Sequence, residues 1–264
     1  METLIKDIAN VLKAAGKYQI DMQFQSFQSS GKGENEFVSE IDKQSEILIC
    51  ERLQKIVPEA GFYGEELGKS GNQELRWIVD PIDGTTNYLA GLDYFSISVA
   101  LYEGKTPLLA TVYRPSSGFL WSASQETELC LNNQKIEVTR FNQKSLKDSL
   151  VCTGFPYRSK DLRAPFSKAI DYSLDVSRGV RRFGSAALDL SLMSSGRFGA
   201  FFETDLKSYD IASGLLFLEK AGFKTLSEKS KTFDMEEDRL LIATYPHELE
   251  IYANKVSQIY KPFL

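Results

Sequence analysis

The chain has 264 residues, is 42% hydrophobic and 25% charged, and carries a formal net charge of −5. These are the proportions of a globular protein, long enough for one large domain or two fused layers. The acidic balance argues against a nucleic-acid partner, since binding a phosphate backbone wants a basic face.

No apolar run approaches the ~18 residues of a membrane span. The N-terminal "METLIKDIANVLKAAG" carries acids and lysines through its apolar pattern, unlike a secretory signal, so a cytoplasmic protein is expected. Cys50, Cys130 and Cys152 are odd in number, far apart and without a CxxC spacing. They read as free thiols in a reducing compartment. A Ser-His-Asp triad, a His-rich zinc site or an HExxH protease would each have to use the single histidine, His247. It reads instead as a surface or helix-start residue, so any hydrolytic chemistry falls to carboxylates and oxygen-loving metals.

In chain order, Leu4, Ile5, Ile8, Val11, Leu12 and Ala15 recur at helical spacing and predict an opening amphipathic helix. "SSGKGENEF" reads as a polar, glycine-rich loop. A second helix is expected over 41–57, stopped by Pro58. "GFYGEELG" reads as a short strand or turn. Trp77, Ile78 and Val79 end an apolar strand that runs into "DPIDGTTN". "FSISVALYEG", "PLLATVYRPSSG" and "GFLWSASQ" follow as an antiparallel meander, and "ELCLNNQKIEVT" as a hairpin through Asn132-Asn133. The softer "RFNQKSLKDS" marks a subdomain boundary, with 1–145 before it and 146–264 after. Beyond it come a strand over 150–153, a glycine-closed helix over "SAALDLSLMSSG", the strand "AFFETD", the helix "YDIASGLLFLEKAG", the strand "RLLIATY" and a terminal amphipathic helix. Strands and helices mix without strict alternation, which predicts a layered α+β fold with helix pairs covering sheets.

Several acids fall at the ends of elements: Asp42, Glu65, Glu66, Asp80, Asp83 and Asp210. Brought together they would repel one another and raise their own pKa values unless cations filled the site. All-oxygen ligands without histidine or thiolate favour Mg2+, Mn2+ or Ca2+ over zinc. Two such ions ~3.5–4 Å apart can activate water and stabilise a departing oxygen in phosphate-ester hydrolysis. A helix beginning at Gly84 would turn free backbone N–H groups toward an anion. Taken singly, each feature has a plainer explanation. Asp-Gly after a strand is commonly a turn, "GEE" a surface segment, and an Asp before an apolar helical run an N-cap.

"GEE" at 64–66, "WIVDPIDGTTNY" at 77–88, "GVRRFGSAALDLSLMSSGRFGAFFE" at 179–203 and "YDIASG" at 209–214 together resemble the inositol monophosphatase family of Mg2+-dependent, often lithium-sensitive phosphatases. The resemblance covers nearly the whole chain in order. It implies an αβαβα sandwich of the sugar-phosphatase type, with a metal-binding half followed by a substrate-side half. It implies two to three Mg2+ ions, with Mn2+ a possible substitute. Glu65, Asp80 and the Ile82 carbonyl would hold the first metal, and Asp80, Asp83 and Asp210 the second. Gly84 and Thr85 would offer N–H groups to phosphate. The Thr85 hydroxyl, Asp42 and Glu65 would activate the attacking water, without a phosphoenzyme. Asp83, Ser185, Ala186 and Glu203 would meet substrate hydroxyls, with N-capping an equal role for Ser185. Lys32 would lie in the loop covering the metals. Tyr209 replaces the family's usual tryptophan, and "ASG" its "AAG"; both bear on the pocket wall and leave the metal ligand in place.

The implied activity is hydrolysis of a small polyol or sugar phosphate, inositol monophosphate foremost, by a cytoplasmic homodimer without nucleic-acid or membrane partners. The alternatives are fructose 1,6-bisphosphate or adenosine 3',5'-bisphosphate as substrate, or a regulatory or scaffold protein that has kept the fold. In the last case Arg181 and Arg182 offer a small basic spot, otherwise read as a solvated face.

Overall fold

The computed structural model describes residues 1–28, 34–137, 145–157 and 159–264, with side chains described outside 24–28 and 34–39. The chain divides into two compact units, one of residues 1–136 with 184–188, the other of 137–183 with 189–264.

The first unit opens with α1 (Glu2–Gln28) and α2 (Glu34–Ile56). The expected polar loop is therefore shorter than read, because Glu34 to Phe37 are helical. Polarity misled here, since glutamate is a good helix former and only Gly31 and Gly33 in that stretch resist a helix. An eight-stranded sheet follows in the order β2-β1-β3-β4-β5-β6-β7-β8. Its strands are β1 (Gly61–Gly64), β2 (Gly68–Ser70), β3 (Leu75–Asp83), β4 (Ser96–Glu103), β5 (Thr106–Arg114), β6 (Phe119–Ser124), β7 (Cys130–Leu131) and β8 (Gln134–Lys135). The β1–β3 pair is parallel; β4, β5 and β6 form the expected antiparallel meander. Asn132 and Asn133 sit at φ 50° and 63°, the backbone a tight two-residue hairpin demands.

One side of this sheet is apolar. Ile8, Val11, Leu12 and Ala15 of α1, with Ile49 and Leu53 of α2, pack against Trp77, Val79, Ile97, Val99 and Leu109. The helical stripe and the alternate strand positions meet as their periodicities require.

In the second unit the strands are β9 (Val151–Thr153), β10 (Val180–Arg181), β11 (Ala200–Thr204), β12 (Lys224–Leu226) and β13 (Leu240–Thr244), ordered β10-β9-β11-β13-β12. The helices are α4 (Arg163–Val176), α6 (Ser208–Lys220), α7 (Asn254–Tyr260) and α5 (Ala186–Ser194), whose first residues belong to the first unit; the short α3 (Thr85–Leu89) lies in the first. Val151, Ala200, Phe202 and Ile242 pack against α4 and α7. The alternate residues Cys152, Phe201, Leu241 and Ala243 are buried as well, on the side where Cys152 hydrogen-bonds Asp189 of α5. Burial on both faces is why these strands read as continuous apolar runs. At Gly214 a Cβ would overlap Leu190, so α5 and α6 approach closely there, and the "ASG" glycine is a packing requirement.

Helix α4 was not anticipated. Its buried side is only Pro165, Ala169 and Ser173, too small and polar to leave a stripe, and its proline sits in the first turn, where the missing N–H costs nothing. Each unit is a sheet covered by helices, in keeping with the layered α+β class expected.

Candidate metal centre

The acidic motif is built on a longer strand than its sequence suggests. β3 does not stop at Val79: Asp80 pairs with Ser98, the register shifts, and Asp83 pairs with Ser96. Pro81 cannot donate to the ladder, so the strand bulges there and then resumes. Asp80 and Asp83 are thus strand residues on either side of a bulge, 1% and 7% exposed. Gln19, fully buried on α1, donates from Nε2 to the Pro81 carbonyl at 2.8 Å, and its own carbonyl accepts from the Tyr88 hydroxyl at 2.7 Å. Helix α1 therefore ties the bulge to α3.

Gly84 ends the strand at φ 98° as N-cap of α3. A Cβ there would come within 3.1 Å of the Gly184 and Tyr94 carbonyl oxygens. Helix α3 does begin beside the motif, with Thr85 as its first residue. The Thr85 hydroxyl donates to the Ile82 carbonyl at 3.0 Å. That hydroxyl keeps its acceptor lone pairs, and the carbonyl keeps a second lone pair.

Helix α2 brings further acid to the same unit. Asp42 is 4% exposed and Glu46, one turn on, fully buried. Burial pushes the Asp42 carboxyl up to about 8, and Glu66, Glu65 and Glu46 add to the rise, so among the described residues the charged neighbours acting on it are acids. Glu46 accepts the backbone N–H groups of Glu66 at 2.8 Å and Leu67 at 3.0 Å. Burial still raises its pKa despite those bonds and one from the Glu65 backbone. Glu65, half-buried, and Glu66, exposed, lie on the turn between β1 and β2. Sequence reasoning missed Glu46 and Gln19. The signal for Glu46 was present: Ile41, Asp42, Ser45, Glu46, Ile49 and Leu53 fall on one helical face, so three polar residues sit on an apolar stripe.

Ser185 and Ala186 meet Asp83 directly. The Ser185 hydroxyl and the Ala186 and Ala187 N–H groups all donate to its carboxylate, while Ser185 Oγ accepts from the Leu188 N–H at 3.4 Å. The capping role weighed for Ser185 is real, and Asp83 caps the same helix from a strand.

In the second unit Glu203 is half-buried on β11, and its carboxylate occupies the space a Cβ at Gly154 would need. It is not a strand-end acid standing in solvent. Asp210 is 8% exposed and is not an N-cap. It lies at the third position of α6, where Oδ2 accepts the Lys207 N–H at 2.7 Å.

Lys32 lies outside the described residues, as does the first half of the soft stretch, residues 140–144. His247 is exposed on a 3-10 turn (Pro246–Glu248) and stacks on Tyr245. The three cysteines are free. Arg181 is exposed, whereas the Arg182 guanidinium lies over the Phe155 and Tyr157 rings. Among the described residues no helix is long and apolar enough to cross a membrane.

The donor set suits a hard divalent cation. It is all oxygen, and beside it Asp42, buried among described acids, needs positive charge nearby to remain ionised. Comparison with known proteins agrees. Residues 1–261 match the model of the inositol monophosphatase family. An inositol-1-monophosphatase from Rhizobium meliloti (strain 1021) is 38% identical over 202 residues, 76% of this chain and 75% of that protein. A Nus factor SuhB from Xylella fastidiosa (strain Temecula1) is 37% identical over 191 residues, 72% of this chain and 69% of that one. The crystal structure of the extragenic suppressor protein suhB from Bartonella henselae superposes with a TM-score of 0.85 at 28% identity, covering 99% of this chain and 100% of the other. The chain belongs to the inositol monophosphatase family, and with its buried aspartates that membership supports Mg2+-dependent phosphomonoester hydrolysis.

Proposed function

We propose that the protein hydrolyses a small polyol phosphate, inositol monophosphate foremost, by direct attack of water. The observation that carries this reading is the pair of buried aspartates flanking the β3 bulge, immediately before a left-handed glycine and a helix start. By the family likeness, Asp80, Asp83, Asp210, Glu65 and the Ile82 carbonyl would hold two to three Mg2+ ions, with Mn2+ a possible substitute. Bound Mg2+ supplies Lewis acidity and neutralises phosphate charge.

The remaining work belongs to the chain. The N–H groups of Gly84 and Thr85, with no intrahelical acceptor, orient the phosphate. The Thr85 hydroxyl donates its hydrogen bond to the Ile82 carbonyl and so can accept one from the attacking water. Asp42 and Glu65 take up the proton released, as carboxylates kept ionised by the neighbouring cations can. Asp83, Ser185, Ala186 and Glu203 receive the substrate hydroxyls. Because Ser185 and Ala186 already donate to Asp83, a hydroxyl entering there would join an existing network. The family likeness also supports a homodimer and inhibition by Li+.

The test is phosphate release from myo-inositol 1-phosphate under a Mg2+ titration, beside fructose 1,6-bisphosphate and adenosine 3',5'-bisphosphate. Mg2+-dependent turnover highest on the first is expected. Asp80→Asn should lower it on the order of 100-fold or more while leaving the fold intact. Near-wild-type turnover in that variant would overturn the metal assignment. A second reading, a regulatory protein, rests on the relative described as a Nus factor. The buried acids count against it, since an uncompensated acid cluster is costly to keep. A partner recovered at high affinity in Mg2+-free buffer, with all three substrates untouched, would favour it.

A further inference from the structure

Glu46 is an unusual group to bury. It is a carboxylate with no exposed surface, one helical turn from Asp42 on α2. Among the described residues no lysine or arginine acts on it; its stabilising partners are the backbone N–H groups of Glu65, Glu66 and Leu67. Three successive amides of one tight turn converge on a single side chain. Such a nest is a strong anion cradle, and here the anion belongs to the protein.

Gly64 completes the arrangement. A Cβ at this position would overlap the Glu46 carboxylate. Gly64 is not among the residues with positive φ, so its backbone does not by itself demand glycine. The first letter of "GEE" is explained by space for Glu46. The motif is the visible half of a two-part device whose other half lies on α2.

We propose that Glu46 is a positioning residue for Glu65: it clamps the backbone of the β1–β2 turn so that the Glu65 side chain is presented in a fixed direction to the bound cation. The inference rests on the role proposed above for Glu65. It adds that the fixing group is a side chain from another element, and that Asp42 and Glu46 divide the polar face of α2 between water chemistry and turn geometry. A turn held only by its own three-residue link would let Glu65 sample several directions, and cation affinity would fall by the fraction of time spent away.

The test uses the full chain and two readouts, Mg2+ binding by calorimetry and the Mg2+ concentration for half-maximal turnover. Removing a group that orients a metal ligand commonly costs about 10- to 100-fold in metal affinity. Glu46→Gln keeps the size but turns an amide NH2 toward N–H donors. Its Mg2+ Kd and half-saturation should rise by about that factor, with turnover recovering at high Mg2+. Gly64→Ala should act in the same direction by displacing the carboxylate. In a Glu46→Ala background, adding Gly64→Ala should have a much smaller effect, because the space is then free.

A folded Glu46→Gln protein whose Mg2+ affinity stays within twofold of wild type would overturn the proposal. So would strictly additive effects of the two positions. Should Glu46→Gln fail to fold, Gly64→Ala carries the same readouts and decides between the same outcomes. Failure of the underlying reading looks different: the wild-type protein itself would bind no Mg2+, or Asp80→Asn would leave binding unchanged.

Discussion

Gly84 stands between a strand that carries two carboxylates and the helix that follows, in a conformation that side chains resist. At φ 98° an alanine costs about 1–2 kcal/mol in backbone strain. Its Cβ would also press on two carbonyl oxygens. Gly84→Ala should lose at least that much stability in urea denaturation and lose turnover more steeply, since the first N–H groups of α3 would move. A second residue-scale prediction concerns acid. Burial alone would raise the pKa of Asp205, but hydrogen bonds from Arg239 and Ser159 and the charge of Arg239 outweigh it and leave it lowered. A lowered carboxyl stabilises the fold above its unfolded pKa of about 3.9, and that contribution is lost as pH falls through the folded value. Arg239→Ala should therefore lower the Tm at pH 7, with the gap to wild type closing below about pH 4. A gap that stayed constant with pH would show that the arginine stabilises by packing instead. Residues of this kind were partly legible: Asp80, Asp83 and Gly84 announced themselves as a local cluster. Asp205 and Arg239, 34 positions apart, did not.

Among the elements, α2 does two jobs on one face. Ile49 and Leu53 enter the core with α1 and β3, while Asp42 and Glu46 reach the β1–β2 side. Leu53→Ala, at a fully buried position, should destabilise by about 2–5 kcal/mol through lost burial and a residual cavity. Calorimetric unfolding checks this, and Mg2+ affinity per folded molecule should stay the same. The start of α5 behaves differently. Ser185 donates a hydrogen bond to Asp83 and accepts one from the Leu188 N–H, so Ser185→Ala should cost about 0.5–2 kcal/mol as a lost cap. If Ser185 also meets substrate, KM should rise beyond anything the stability loss explains; an unchanged KM would leave it a cap alone. The helical and strand periods of these elements were readable because one side of each is covered by apolar neighbours. The bulge in β3 and the whole of α4 were not. A proline looks like a strand's end when it is only an interruption, and a small, partly polar buried face leaves no hydrophobic stripe.

For the molecule as a whole, cation binding is expected to be linked to folding. A ligand that binds only the native state stabilises it by about 2.7 kcal/mol at 100 times its Kd. Mg2+ should raise the Tm and EDTA should return it to the metal-free value. Asp80→Asn should abolish the shift. A Tm indifferent to Mg2+ in the wild-type protein would count against the metal assignment.

Sequence by itself determined what is local. It set the amphipathic helices, the meander, the Asn-Asn turn and the oxygen-only chemistry of a chain with one histidine, because periodicity, turn geometry and ligand type depend on residues close together in the chain. Its motifs also carried the family, since a strand, two acids and a glycine turn occupy one short stretch. Tertiary structure alone decided which distant groups complete that chemistry. Glu46 receives amides some 20 positions away, Asp83 caps a helix more than 100 positions later, and Gln19 holds a bulge 62 positions downstream. Such pairings leave no periodic trace. A hydrogen bond between remote residues needs only one suitable atom at each end, and only the folded chain brings the two ends together.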